Sequence, residues 1–256
     1  IHAFSPFEIW YGVKKTGLPL HDFLRDLKSA GLGTMPGTAA EILDTDIRLQ
    51  LTRNKLSADE WERIIRAAHE VGIRSTATIM YGHIDGPHHW AAHIDRIRSI
   101  QKDTGGFTEF VPLGFIHDKT RLFRDHADAR PGPTADENLK MHAVARLMLA
   151  GHIDNIQVSW VKLGPQMAMT MLGCGANDLG GTLMNESISR AAGAKFGQEI
   201  TPREMVQIIR AAGRIPVQRS TLYDIVESFE DHDPEVIEPL VERADGADPI
   251  AASDKV

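Results

Sequence analysis

The sequence is poor in cysteine, in basic charge and in long apolar runs, and each shortage removes a class of protein. Cys174 is the single cysteine among 256 residues. No disulfide can form within the chain, and no metal or iron–sulfur site can draw several cysteines from it. No apolar run approaches the roughly 18 residues that span a bilayer, and no charged-then-apolar signal segment opens the chain. Membrane insertion and secretion therefore have no support, and the cytoplasm is the expected compartment. Lys and Arg number 28 against 35 Asp and Glu, a formal net charge of -7, which argues against a nucleic-acid-binding domain, a class that is usually basic. What is present, 42% hydrophobic and 25% charged residues, is the mix of a globular protein with a sizeable core.

The apolar stretch 1–4 opens on Ile1 with no turn or cap before it, and reads as a piece of a longer protein. At the other end, residues 224–256 hold eleven acidic residues against Arg243 and Lys255, whereas the preceding 223 residues are close to neutral. With Pro234, Pro239 and Pro249 as well, 224–256 reads as an acidic, partly disordered tail. Residues 1–223 are left as the body of the protein.

Helix signals are clear within that body. Leu20, Phe23, Leu24 and Leu27 follow the i, i+3, i+4, i+7 spacing and stop at Gly31. Ser57 with Glu60, Thr134 with Glu137, and Thr201 with Glu204 each form the capping-box pattern, in which hydroxyl and carboxylate satisfy free backbone N–H groups. Pro202 at a first helical position strengthens the last of these. A further helix is expected around residues 90–101. Between the helices lie apolar, β-branched runs at 1–4, 32–35, 73–81, 107–115, 153–163 and 179–184. Strand and helix in alternation imply parallel strands with right-handed crossovers. A doubly wound sheet and a (β/α)8 barrel both fit, but no Gly-x-Gly-x-x-Gly follows the first strand, which favours the barrel. The expected fold is a partial (β/α)8 barrel with about six of the eight strand–helix units present.

In such a barrel the chemistry gathers at the C-terminal ends of the strands. Those ends carry His2, Ser5 and Glu8, then residues 36–41, 81–83, Pro112 and His117, then Gln157, Ser159 and Lys162, and finally Thr182, Asn185 and Glu186. His89 and His93 stand one helical turn apart, a spacing that can chelate zinc, yet the His-Glu-x-x-His arrangement is absent and a surface-helix reading suits His88 and His89 better. Cys174, between two glycines, reads as a small buried residue near a turn. In 175–184, glycines before and within a strand would let backbone approach a ligand closely, and Asn177-Asp178 offers acceptors; a tight turn into the last strand explains the same residues equally well. Glu41 closes Pro36-Gly37-Thr38-Ala39-Ala40-Glu41, and a carboxylate at a strand end suits a ribose diol, which donates two hydrogen bonds to it.

Taken in order, these segments carry a specific resemblance. They are His-Ala-Phe-Ser-Pro at 2–6, Pro-Gly-Thr-Ala-Ala-Glu-Ile-Leu at 36–43, Ser-Thr-Ala-Thr-Ile-Met-Tyr-Gly-His at 75–83 and Gln-Val-Ser-Trp-Val-Lys-Leu-Gly at 157–164. Gly-Ala-Asn-Asp-Leu-Gly-Gly-Thr-Leu-Met-Asn-Glu-Ser-Ile-Ser follows at 175–189, and Gln218-Arg219 with Thr221-Leu222-Tyr223 completes the set. The chain resembles the radical S-adenosylmethionine family of 7,8-didemethyl-8-hydroxy-5-deazariboflavin (FO) synthase, in its tyrosine-utilising second subunit or C-terminal half. Related menaquinone-pathway enzymes, which act on futalosine-type substrates, share the Gly-Ala-Asn-Asp-Leu-Gly core. Met184-Asn185-Glu186-Ser187-Ile188-Ser189 suits the deazaflavin branch better. A non-catalytic binding domain is the alternative from another class. The departure is the family's Cys-x-x-x-Cys-x-x-Cys loop, which this sequence does not contain.

The resemblance implies a transferase of deazaflavin coenzyme F(420) biosynthesis. Its 4Fe-4S cluster, held by ligands outside this chain, would cleave S-adenosylmethionine to a 5′-deoxyadenosyl radical. The 4-hydroxybenzyl group of L-tyrosine would then pass to 5-amino-6-(D-ribitylamino)uracil, and the other FO synthase subunit or half is the expected protein partner. By the same resemblance, Glu41 takes the ribose of S-adenosylmethionine and Thr78, Ile79, Met80 and Tyr81 read its adenine. His2, Ser5, Glu8, His117, Gln157, Ser159, Lys162, Asn177, Glu186 and Arg219 become candidates for the substrate pocket. With one cysteine, the isolated chain is expected to assemble no cluster.

Overall fold

A computed structural model describes residues 1–52, 56–183 and 186–238. It is a mixed α/β structure built on a parallel sheet in chain order. Strands β1 (Thr34–Met35), β2 (Arg74–Tyr81) and β3 (Phe107–Gly114) pair as β1-β2-β3, with Thr34 opposite Arg74, Thr78 opposite Val111 and Tyr81 opposite Gly114. Isolated parallel bridges extend the order at both edges, His2 to Thr34 on one side and Phe110 to Ile156, then Gln157 to Asp178, on the other. The helices Leu20–Ser29, Ala58–Glu70, Pro87–Thr104, Ala135–Leu149 and Pro165–Leu172 connect successive positions in this array. Parallel neighbours need such crossovers because a hairpin cannot join them.

The caps read from the sequence act locally as expected, with one variation. Thr134 with Glu137 and Thr201 with Glu204 form reciprocal capping boxes at the starts of Ala135–Leu149 and Pro202–Ala211. Ser57 Oγ accepts the Glu60 N–H at 3.1 Å, but the Glu60 carboxylate turns to Arg63 instead of reaching back. Trp61, Ile64 and Ile65 from that helix and Tyr81, Phe107 and Phe110 from β2 and β3 are fully or almost fully buried, and centre the main core. A second apolar cluster gathers Val158, Trp160, Ala168, Met171, Leu172 and Ile208 around the later helices. Both faces of β2 and β3 are covered, as parallel sheets require, so their strands read as continuous apolar runs.

Four expectations from the sequence change. The run 1–4 is not a strand: only His2 bridges to Thr34, and Phe4 turns away with φ 62° before the helix Pro6–Thr16. The run 153–163 is not one strand. It pairs only at Ile156 and Gln157, after which the Ser159 carbonyl accepts the N–H groups of Lys162 and Leu163 and a short helix, Trp160–Leu163, begins. The run 179–184 pairs through Asp178 instead; the Gly180 N–H folds back onto Asp178 Oδ1 at 2.6 Å, a local turn that competes with the ladder. Its last residue, Met184, and the neighbouring Asn185 lie outside the described residues. Past Tyr223, Ile225–Ser228 forms strand β5, antiparallel to β4 (Val217–Arg219), and Phe229 is buried behind it. Ordered structure thus extends beyond the acidic boundary read at 224, while residues 239–256 of that stretch lie outside the described residues. Among the described residues no helix is long and apolar enough to cross a membrane.

Candidate functional site

The later strand positions and the β4–β5 hairpin enclose a cleft of about 1420 Å³. Five side chains from distant parts of the chain form its polar wall. Glu109 projects from the middle of β3 and is only 7% exposed. The Tyr223 hydroxyl donates to Glu109 Oε2 at 2.6 Å, and Gln157 Nε2 donates to the same oxygen at 3.1 Å. Arg219 grips Asp178 with two nitrogens, Nε to Oδ2 and Nη2 to Oδ1 at 3.0 Å, and its Nη2 lies 3.6 Å from the Glu109 carboxylate. The guanidinium also lies over the Tyr223 ring, 4.0 Å from its centroid. Tyr223 takes a left-handed backbone (φ 73°), unusual for a bulky residue, in the turn that aims its phenol inward.

Burial sets the electrostatics of this wall. It pushes the Glu109 carboxyl above its ordinary value, and the Tyr223 hydrogen bond opposes that push by favouring the ionised form. Burial also pushes the Tyr223 hydroxyl up, reinforced by the carboxylates of Asp178 and Glu109. For Arg219, burial works against the charge but is outweighed by the hydrogen bonds and charge of Asp178, so the guanidinium is held more firmly protonated than usual. The wall carries two acidic groups and one cation, which favours a ligand that donates hydrogen bonds.

The sequence candidates separate into groups. Gln157 and Arg219 belong to the wall itself, and His2, with Nδ1 2.7 Å from Thr34 Oγ1, and Asn177 stand around the same cleft. Asn177 Oδ1 accepts from both Arg146 Nη2 and the Ile156 N–H at 2.8 Å, which ties the loop to the neighbouring strand position. His117 and Lys162 line a second cleft of about 280 Å³ beyond the end of β3, where His117 Nε2 is 2.8 Å from Asp118 Oδ1. Lys162 Nζ donates to Ser189 Oγ, and the Ser189 N–H donates to Glu186 Oε2 at 2.7 Å. Burial pushes the Lys162 amine down, opposed by the charge of Glu186. Ser159 stands at the N-cap position of the short helix that carries Lys162, where its carbonyl and not its hydroxyl accepts the helix N–H groups. Ser5 and Glu8 hydrogen-bond each other, the Ser5 N–H and hydroxyl both donating to Glu8 Oε2 at 2.7 and 2.8 Å, and close the N-terminus of the helix Pro6–Thr16.

The cofactor candidates lie together on another part of the structure. The Met80 N–H donates to the Glu41 carbonyl at 2.7 Å, so the loop carrying Glu41 is laid along the end of β2. Thr78 Oγ1 donates to the Gly37 carbonyl and Thr76 Oγ1 accepts the Gly37 N–H, both at 2.8 Å. Only glycine fits there, because a Cβ at Gly37 would sit 2.0 Å from the Thr76 carbonyl oxygen. Glu41 itself is half-buried with φ 44°. Ile79 and Tyr81 are fully buried, and the Tyr81 hydroxyl donates to Asn138 Oδ1.

Three members of the polar wall, Glu109, Asp178 and Tyr223, were not among the candidate pocket residues. A signal for Glu109 was present, since it is the one charged residue inside the apolar run 107–115. The histidine-rich region resolves differently: His93 is buried, its Nδ1 accepts the Leu43 N–H at 3.0 Å, and burial drives its pKa down to about 3. It is a neutral core group. Among the described residues no three His, Cys, Asp or Glu side chains are grouped to hold a metal ion.

Comparison with known proteins places these features in a family. Over 229 residues the chain is 55% identical to the 5-amino-6-(D-ribitylamino)uracil–L-tyrosine 4-hydroxyphenyl transferase of Methanopyrus kandleri, an overlap of 90% of this chain and 62% of that protein. It is 52% identical over 227 residues to the transferase of the same name from Methanothermobacter thermautotrophicus, again with 62% of that protein covered. Against the FO synthase of Mycobacterium leprae it is 54% identical over 223 residues, 87% of this chain and 26% of that longer protein. The chain therefore spans less than two thirds of the relatives it matches. Residues 104–232, which include every member of the polar wall, match the family described as the CofH/MqnC C-terminal region, and the chain belongs to that family.

Proposed function

We propose that these residues form the C-terminal part of a radical S-adenosylmethionine enzyme that transfers the 4-hydroxybenzyl group of L-tyrosine to 5-amino-6-(D-ribitylamino)uracil in coenzyme F(420) biosynthesis. The observation that carries the proposal is the 55% identity to the Methanopyrus kandleri transferase across 229 residues. The underlying fold is a partial (β/α)8 barrel. The chain-order parallel pairing from His2 to Asp178 supports it, because a barrel needs each strand beside its successor. The protein acts in the cytoplasm, and its protein partner is the other subunit or half of the synthase.

Two cofactors are implied, and the residues fit them differently. Cys174 is the chain's only cysteine, so the 4Fe-4S cluster cannot be housed by these residues, and no step is routed through it. S-adenosylmethionine does fit: Glu41 offers a half-buried carboxylate at a strand end for a ribose diol, beside the buried strand of Thr78, Ile79, Met80 and Tyr81. When bound, it supplies the hydrogen-abstracting chemistry that starts the reaction. The contribution of this chain is to bind and orient. Glu41 holds the ribose, the wall of Glu109, Gln157, Asp178, Arg219 and Tyr223 presents the Glu109 and Asp178 carboxylates to a substrate, and Lys162 lines the smaller cleft.

A second reading, a menaquinone-pathway enzyme acting on a futalosine-type substrate, draws on the family description, which joins CofH with MqnC. Anaerobic incubation of the full-length protein with S-adenosylmethionine, reductant, L-tyrosine and 5-amino-6-(D-ribitylamino)uracil decides between them. Mass spectrometry should find the 4-hydroxybenzyl adduct of the uracil. Turnover of a futalosine-type substrate alone refutes the proposal, and failure to turn over either points to a non-catalytic binding domain.

A further inference from the structure

The polar wall of the large cleft has an unused acceptor. Glu109 directs Oε2 to Tyr223 and Gln157, whereas Oε1 accepts no hydrogen bond among the described residues, although the side chain is only 10% exposed. A carboxylate this deeply buried is stabilised by donors on both oxygens. Glu109 lines the cleft, so a ligand donor that enters can reach Oε1 and replace the water that would otherwise serve it. The wall also has no cation to spare: Arg219 is held by two nitrogens on Asp178, which in turn accepts the Gly180 N–H.

The two substrates of the proposed transfer differ in this chemistry. L-Tyrosine brings a carboxylate, which would face Glu109 and Asp178 at this wall, where Arg219 is already engaged; the other guanidiniums that line the cleft, Arg146 and Arg214, donate to the carbonyls of Gly175 and Asp154 and of Leu172. 5-Amino-6-(D-ribitylamino)uracil is uncharged and rich in donors, with amine and ring N–H groups and a chain of hydroxyls. The cleft, at about 1420 Å³, also has room for its extended ribityl tail.

We infer that this wall is the seat of the ribitylaminouracil, with Glu109 Oε1 accepting one of its N–H or O–H groups, and that L-tyrosine is held elsewhere. Glu109 is thereby a specificity-determining residue for the acceptor substrate. The assignment rests on the transferase reading, and the test keeps the two apart.

Equilibrium binding of each substrate to the full-length wild-type protein, and to its Glu109→Gln and Gln157→Leu variants, is measured by anaerobic calorimetry, with thermal melts to verify folding. Glu109→Gln should weaken ribitylaminouracil binding by about tenfold or more, the scale of a lost charged hydrogen bond. It should leave L-tyrosine affinity within about twofold. Gln157→Leu, which releases Glu109 from one side without changing its charge, should cost about threefold or more for the uracil, and it carries the test if Glu109→Gln does not fold. Unchanged uracil affinity in the folded variants, or a loss confined to L-tyrosine, overturns the assignment and leaves the transferase reading standing. A full-length wild-type protein that binds neither substrate removes the transferase reading itself.

Discussion

Replacing Arg219 with alanine tests whether the hairpin is fastened to the sheet by charge. Arg219 is 23% exposed, and its partners Asp178 and Glu109 are 8% and 10% exposed at their side chains. Truncation leaves both acidic groups without their cation, removes two hydrogen bonds to Asp178, and uncovers the Tyr223 ring. Breaking a buried pair from one side costs about 3–5 kcal/mol. Water in the open cleft relaxes part of that penalty, so the expected loss is about 3 kcal/mol. For a chain of this size that corresponds to a fall in melting temperature of roughly 6–12 °C. Urea denaturation of wild type, Arg219→Ala, Asp178→Asn and the double variant completes the cycle. The double variant should be less destabilised than the sum of the singles, by about 1.5 kcal/mol or more, because the second change removes the stranded charge. Hydrogen exchange should quicken in β4 and β5 and stay slow in β2. A coupling below about 0.5 kcal/mol would falsify the argument, since the pair would then be a surface contact that water replaces.

Three further outcomes follow from particular contacts. Gly37→Ala should lower stability by about 2–3 kcal/mol in thermal or urea unfolding, because its Cβ would meet the Thr76 carbonyl 2.0 Å away on a core strand; a cost near zero would show that the loop does not press on β2. Ser5→Ala should cost about 1 kcal/mol of stability and leave the affinity for either substrate unchanged, because its hydroxyl is committed to Glu8; a selective loss of substrate affinity would make Ser5 a pocket residue after all. Glu109, whose carboxyl is raised by burial from an ordinary value of 4.5, binds its proton more tightly folded than unfolded. Its contribution is therefore full below about pH 4.5 and is lost as pH rises through the raised value. Glu109→Gln should flatten this part of the stability profile between acid and neutral pH, and an unaltered profile would show that the carboxyl is not desolvated.

The parts of the structure legible in the sequence are those set by local rules. Period and caps placed the helices Ala58–Glu70, Ala135–Leu149 and Pro202–Ala211, because in each the Ser or Thr hydroxyl accepts the N–H of the Glu three residues on, whether or not that Glu reaches back. The same signature stands at Ser5-Pro6-Phe7-Glu8, with proline at the first helical position, but the apolar residues before it also suit a strand with polar groups at its end. In the structure only His2 pairs there, and Phe4 turns away with φ 62° before the helix begins. The runs 153–163 and 179–184 failed for the opposite reason: apolar composition marks burial, and short buried helices and turns are as apolar as strands. Acidic composition likewise hid β5, although Ile225, Val226 and Phe229 gave that stretch an apolar, β-branched core.

The candidate site was harder to see because its wall is non-local. Glu109, Gln157, Asp178, Arg219 and Tyr223 come from four segments spread over more than a hundred residues, and no spacing rule joins them. Their meeting depends on the hairpin, which delivers Arg219 and Tyr223, and the hairpin in turn depends on the charges it meets, since Asp178 and Glu109 fasten it. Fold and site are coupled at this point. A variant of Arg219 with reduced activity is therefore no proof of a substrate contact, because loosening the hairpin would withdraw the Tyr223 phenol from Glu109 as well. Glu109→Gln disturbs the hairpin less: it removes the charge that faces the cleft, keeps an amide oxygen that can accept the Tyr223 hydroxyl, and leaves the Arg219–Asp178 pair in place.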